Sequence, residues 1–298
     1  MPLQVAHPQH LFDARLHRQR KARAANGYAH AAFLHARTAQ DLLERLEAIK
    51  RPFPRVLTIG AATAFAALHA GAEFAVATDV SHKLLPSGSV ALNPEHLPFA
   101  PNSFNLILAP LALNWTNDLP GTLIQLRASL LPDGLLLATL FGPETLHELR
   151  SVLLQAESEL TSGAALRIAP FAELREAAGL LQRAGFALPA ADRDVTTVRY
   201  RSPFALLQDL RAMGETAAFT NRAPALRRAV ILRAMALYQE RFGLPDGRVQ
   251  ATFEIVTLTG WNPHESQQKP LRPGSAKTRL SDALGVAEWP AGEKAGKS

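Results

Sequence analysis

Leu42, Leu43, Leu46 and Ile49 recur at helical spacing before Pro52 and Pro54, so the pattern predicts a helix over 30–50, with another over 11–25 ahead of it. Beyond the prolines the period changes. Short apolar runs at 55–60, 73–79, 88–92, 103–109 and 134–141 predict strands, and helical stretches at 62–70 and 118–131 lie between some of them. Strands alternating with helices need crossover connections, so the central half reads as an α/β doubly wound domain with a mainly parallel sheet. After Gly142, an apolar stripe of Leu146, Leu149, Leu153, Ala156 and Leu160 predicts a further helix, with Thr145 and Glu148 at capping-box spacing. A helix over 171–184, a strand over 187–200, helical stretches at 203–213 and 223–242, a Pro-Asp-Gly turn at 245–247 and a strand over 251–261 complete the series.

The expected divisions are an N-terminal helical segment (1–50), the α/β core (51–202), a helical cap inserted before the last strand (203–245), the last strand with a C-terminal segment (246–285) and a disordered tail (286–298). A chain of 298 residues, 47% of them hydrophobic, is long enough to bury about three-quarters of its unfolded surface. It contains no cysteine, which excludes disulfides, thiolate nucleophiles and Cys-ligated metals. No apolar run approaches the roughly 20 residues of a membrane-spanning helix, and the start MPLQVAHPQHLFD lacks the apolar centre of a signal peptide, so the expectation is cytoplasmic, with peripheral membrane association left open. The net charge of +6 concentrates at Arg15, Arg18, Arg20, Lys21 and Arg23 and again beyond Lys269. Neither cluster interleaves aromatics, so nucleic acid is not the expected partner, whereas an acidic protein surface or anionic membrane is compatible.

In doubly wound sheets ligands sit beyond the carboxyl ends of the strands. Gly60 ends the first strand, and Asp79 ends the second 19 residues later. A glycine there permits a tight turn beside a nucleotide, and an acid there accepts hydrogen bonds from ribose hydroxyls. On spacing alone, a turn glycine and a surface acid are an equal account.

Longer segments are more specific. LTIGAATAFAALHAGAEFAVATD, ALNPEHLPFAPNSFNLILAPLALNW and NDLPGTLIQLRASLLPDGLLLATLFGPETLHELR together resemble the core of the class I S-adenosylmethionine (SAM) methyltransferases. Within them the chain is similar to the malonyl-carrier-protein methyltransferases of biotin synthesis. It is more similar still, through LFDARLHRQRKARAA and GWNPHESQQKPLRPGSAKTRL, to the methyltransferase-like arginine hydroxylases of respiratory complex I assembly. The resemblance implies a Rossmann-like, seven-stranded α/β sheet with N-terminal helices and a cap closing over the site. It implies SAM along Gly60, Ala61 and Ala62, its ribose at Asp79 and Val80, and its adenine near Asn93, Pro94 and Glu95. It also implies a protein substrate in complex I, modified by hydroxylation of arginine rather than by methyl transfer.

The chain departs from the family pattern at Thr58, Ala62 and Ala64, where an acid and two glycines are usual, and at Asn93, where aspartate is usual. An alanine forced to positive φ costs about 1–2 kcal/mol. The departures together would weaken SAM binding on the order of a hundredfold. Three readings follow: a SAM-dependent enzyme acting on a protein or carrier, an arginine hydroxylase, or a non-catalytic assembly scaffold. Carboxylates suit an arginine-bearing substrate, which makes Glu144 and Glu265 the first choices on the substrate side, with Arg150 and His264 beside them and His147, Trp261 and Ser266 nearby. Glu148 is accounted for as a cap and Trp115 as core packing. No residue identifies itself as catalytic. No metal set is evident: PHES at 263–266 offers one His beside one Glu, and HPQH at 7–10 lacks a glutamate.

Overall fold

The apolar runs pair into a sheet whose central strands are covered on both faces. The computed structural model describes residues 10–171, 173–267, 282 and 285; the side chains of Ala62 and Thr63 are excepted, and the expected tail at 286–298 lies outside the described residues. The strands are β1 (Arg55–Ile59), β2 (Phe74–Asp79), β3 (Val90–Ala91), β4 (Phe104–Pro110), β5 (Leu130–Phe141), β6 (Ala187–Tyr200) and β7 (Val249–Trp261). They form one seven-stranded sheet in the order β3-β2-β1-β4-β5-β7-β6. Strands β1 to β5 pair in parallel, and β7 runs antiparallel to both β5 and β6. The order reverses between β1 and β4, which opens a crevice at their carboxyl ends. Leu57, Ile59, Leu106, Ile107, Leu108 and Leu136 are fully buried, the burial expected of parallel strands that read as unbroken apolar runs.

Before the sheet come α1 (Ala14–Ala24), α2 (Tyr28–Ala31) and α3 (Phe33–Glu47), so the helix expected over 30–50 is broken between Ala31 and Phe33. A 3-10 turn (Ala62–Phe65) leads into α4 (Ala66–Gly71), and α5 (Leu119–Ser129) carries the Asp118 cap, whose carboxylate accepts from Gly121 N. Then follow α6 (His147–Leu160), α7 (Leu174–Arg183), and the cap helices α8 (Pro203–Ala212) and α9 (Arg228–Phe242). Val152, Leu206, Ala234, Tyr238 and Phe253 join α6, the cap and β7 in one buried cluster.

The capping box expected at Thr145 and Glu148 does not form. Leu146 occupies the N-cap with φ +55°, and no side chain caps the helix. Thr145 Oγ1 donates to the Glu254 carbonyl at 3.0 Å, and the buried Glu148 carboxylate accepts from Thr252 Oγ1 at 2.6 Å and Thr252 N at 3.2 Å. Strand β7 therefore supplies the polar partners that local spacing had assigned to the helix terminus. The chain divides into two units, Met1–Pro263 and His264–Ser298, and everything above belongs to the first.

Candidate functional site

At the end of β1, Gly60 has φ +77°, and its N–H donates to the Thr78 carbonyl at 2.7 Å. A Cβ there would lie 3.2 Å from the Ala112 methyl and 3.9 Å from Asp79 Oδ2, so position and conformation both call for glycine. Ala61 follows at φ +48°, while Ala62–Phe65 wind into the 3-10 turn. The left-handed strain expected at Ala62 or Ala64 thus falls at Ala61 instead. Thr58 is buried, its Oγ1 3.1 Å from His69 Nε2.

Asp79 ends β2 at 7% exposure, and its Oδ1 accepts from Ser81 N at 2.9 Å. Burial raises its pKa, and the Lys21 ammonium only partly offsets this. Gly60, Ala61, Asp79, Val80 and Pro94 line one crevice, and Asn93 lines an adjoining recess with Val80, Pro94 and Trp115. Asn93 Oδ1 accepts from Glu95 N at 3.2 Å, and Glu95 Oε1 in turn accepts from Asn117 N and Asp118 N at 2.8 and 2.9 Å.

The N-terminal helices complete the wall: His17 and Lys21 from α1, Tyr28 from α2 and His35 from α3. They leave about 20 Å³, room for little more than a water molecule. Lys21 Nζ donates to Glu215 Oε1 at 2.5 Å and to the Met213 carbonyl at 3.3 Å. His35 Nε2 lies 3.1 Å from the same Glu215 oxygen, and Trp115 Nε1 donates to Glu215 Oε2 at 2.8 Å. Burial is the largest influence on both Lys21 and Glu215 and opposes their charges, but mutual attraction outweighs it, so Lys21 is raised and Glu215 lowered. Burial, reinforced by the Lys21 charge, holds His17 down to about 3 and His35 below its ordinary value, so both rings are neutral. Tyr28 is pushed up to about 12, chiefly by burial.

Trp115, first read as core packing, is thus also a hydrogen-bond donor to a buried carboxylate. The pairing of Lys21 and His35 with Glu215 carried no sequence signal, because Glu215 lies 194 and 180 positions from them.

The substrate-side expectations are dispersed. The Glu144 side chain is exposed, while its N–H donates to Glu254 Oε2 at 2.8 Å. Arg150 donates to the carbonyls of Pro143 at 3.0 Å and Thr145 at 3.1 Å, tying down the turn after β5. His147 Nδ1 is 3.6 Å from Glu148 Oε2. Trp261 ends β7 with the Arg51 guanidinium 5.3 Å from its ring centre. His264 and Glu265 belong to the second unit, where His264 Nδ1 and Ser266 Oγ are 2.7 Å apart.

On the crevice wall Asp79 offers an acceptor of the kind that ribose hydroxyls need, and Gly60 leaves the backbone open to close approach. His17 Nε2, His35 Nδ1 and Ser81 Oγ are buried without hydrogen-bond partners among the described residues. Two of these belong to the crevice wall and the third lies two residues beyond Asp79. Buried polar atoms are rarely left so, and two on the wall of one crevice fit a polar ligand.

Residues 57–138 match the methyltransferase domain family. The mitochondrial arginine-hydroxylase NDUFAF5 of Danio rerio is 35% identical over 285 residues, covering 91% of this chain and 89% of that protein. The malonyl-[acyl-carrier protein] O-methyltransferase of Halorhodospira halophila is 32% identical over 266 residues, covering 84% and 88%. The YcgJ protein of Bacillus subtilis has the same fold, with a TM-score of 0.52 at 14% identity over 76% of this chain and 99% of that one.

Proposed function

Because this chain belongs to the class I methyltransferase-like family that contains the NDUFAF5 arginine hydroxylases and the malonyl-[acyl-carrier protein] O-methyltransferases, we propose that it binds SAM in the crevice and modifies a protein side chain. The substrate side chain in this reading is an arginine of a respiratory complex I subunit, acted on during assembly. What carries the reading is the convergence of Gly60, Asp79 and the side chains of His17 and His35, each with a buried unpartnered ring nitrogen, on one crevice. Gly60, Ala61 and Ala62 would carry the methionine end of SAM, Asp79 and Val80 the ribose, and Asn93 and Pro94 the adenine. When bound, SAM supplies an electrophilic methyl group; the chain supplies alignment and exclusion of water. Lys21, His17 and His35 form the lid over the crevice, which has to move aside for a cofactor and then shuts out solvent. Among the described residues no helix is long and apolar enough to cross a membrane. The basic residues of α1 favour encounter with an acidic partner or an anionic inner-membrane face, and a cytoplasmic protein with peripheral association fits that charge.

Isothermal titration tests the cofactor half. Wild-type protein is expected to bind SAM with a Kd in the micromolar range, and Asp79→Ala to weaken it roughly a hundredfold or more. Mass spectrometry of the complex I subunits from a deletion strain, with and without Asp79→Ala, then shows whether a methyl or a hydroxyl group depends on this protein. A second reading, a non-catalytic assembly scaffold, is favoured by the closed crevice of about 20 Å³. It takes over if a folded wild type shows no SAM binding while the deletion strain still fails to assemble complex I.

A further inference from the structure

Protein interiors are packed nearly as densely as organic crystals, and voids larger than a water molecule are few. Beneath the cap this chain leaves a cavity of about 280 Å³ that differs from the crevice in chemistry and meets it only at the Lys21–His35–Glu215–Trp115 cluster, with Trp115 lining both the cavity and the recess beside the crevice. Its wall is mainly apolar: Leu149 and Leu153 from α6, Leu210 from α8, Ile231 and Met235 from α9, and Phe253 from β7. Most of the polar groups on it are committed elsewhere. Thr145 donates to Glu254, Arg167 is bidentate on Glu157 with its shortest contact 2.6 Å, and Glu215 is held by Lys21, His35 and Trp115.

Arg211 differs from the other charged groups of the wall. It is the exposed member of the lining, and so stands at the opening, and among the described residues it has no carboxylate partner. It also lines a solvent-facing groove with Arg20 and Arg23, which likewise form no ion pair among the described residues. Burial lowers the Arg20 pKa, and the like charges of Arg222 and Arg23 lower it further, with Asp13 opposing, so positive charge predominates in the groove among the described residues. Cavity and groove share Arg211 and Thr216.

An apolar chamber that opens beside three unpaired guanidinium groups is complementary to one kind of molecule, an unbranched chain ending in an anion. We propose that the cavity under the cap binds the chain of a soluble medium-chain fatty carboxylate, with its anionic head held at the opening by Arg211, Arg20 and Arg23. At roughly 30 Å³ for a methylene, the share of a water molecule in the liquid, 280 Å³ takes about nine carbons. The site is independent of the crevice reading above.

The test is calorimetric titration of the full-length protein with decanoate below its micellar concentration. Decyltrimethylammonium serves as the cationic control, and Trp115, which lines the cavity, as a fluorescent reporter. Decanoate is expected to bind one-to-one with a Kd on the order of tens of micromolar. The cation should bind at least about tenfold more weakly, as should decanoate to Arg211→Glu. Ile231→Trp, which fills the chamber, should abolish binding, and Arg211→Glu keeps the test decisive if that variant folds poorly. No saturable binding, equal affinity for anion and cation, or unchanged affinity in Arg211→Glu would overturn the proposal. So would binding to phosphatidylglycerol vesicles without binding to monomeric decanoate. SAM titrations run on the same samples keep the two sites apart, since Arg211→Glu is expected to leave SAM affinity unchanged.

Discussion

Ala61 holds a left-handed backbone at φ +48° directly after Gly60 at φ +77°, and a side chain in that region costs about 1–2 kcal/mol. Replacing Ala61 with glycine relieves that strain but frees the unfolded chain, which returns about 0.4–1 kcal/mol. Ala61→Gly is therefore expected to stabilise the protein by on the order of 0.5–1 kcal/mol, read as a raised urea midpoint with an unchanged slope. Gly60→Ala is expected to do the reverse and to disturb the crevice, because its methyl would press on Ala112. Trp115→Phe keeps the ring but leaves Glu215 Oε2 without its donor, a loss of about 1–3 kcal/mol in the same measurement. Gly60 and Asp79 were legible because each ends a strand and is of a type that chemistry favours there. The strain at Ala61 was not, because alanine has no local preference for the conformation it is held in.

Between elements, the decisive contact is α1 against the loop after α8. Lys21 and Glu215 are both almost fully buried, and removing one partner of such a pair strands the other charge at a cost of about 3–5 kcal/mol. Lys21→Met should be destabilising on that scale, whereas Lys21→Met with Glu215→Met should lose much less. The pair of single variants and the double variant, compared by chemical denaturation, isolates the coupling. Amide hydrogen exchange in α1 should quicken in Lys21→Met well before the sheet is affected, since α1 closes the crevice. The element series itself was largely readable from periodicity. Its errors fall at boundaries, and at α6 the capping box failed because Thr252 and Glu254 of β7 capture the residues that local spacing had reserved for the helix.

At the scale of the whole molecule, the buried histidines make stability depend on pH. His17 is held down to about 3 against an ordinary value of 6.5, primarily by burial and then by Lys21 and Arg20, with Glu215 opposing. Its folded pKa lies below its unfolded one, so the stabilisation is complete above about pH 6.5 and is lost as pH falls toward 3. His35 shifts in the same direction. By pH 5 the loss from His17 alone should be about 2 kcal/mol, and thermal unfolding of His17→Phe should be correspondingly less sensitive between pH 7 and pH 5.

The order of strands and helices, the doubly wound class, the glycine and acid at the two strand ends and the inserted cap were all determined by the sequence alone. Each is written in residues within one or two turns or strands of each other, where periodicity and residue type act. The packing of the N-terminal helices around Asp79, the Lys21–Glu215–His35–Trp115 cluster, the cavity under the cap and the burial of Glu148 were decided only by the tertiary structure. These join side chains about a hundred to two hundred positions apart, and no local pattern in the chain records which distant carboxylate will meet which cation once the sheet has formed.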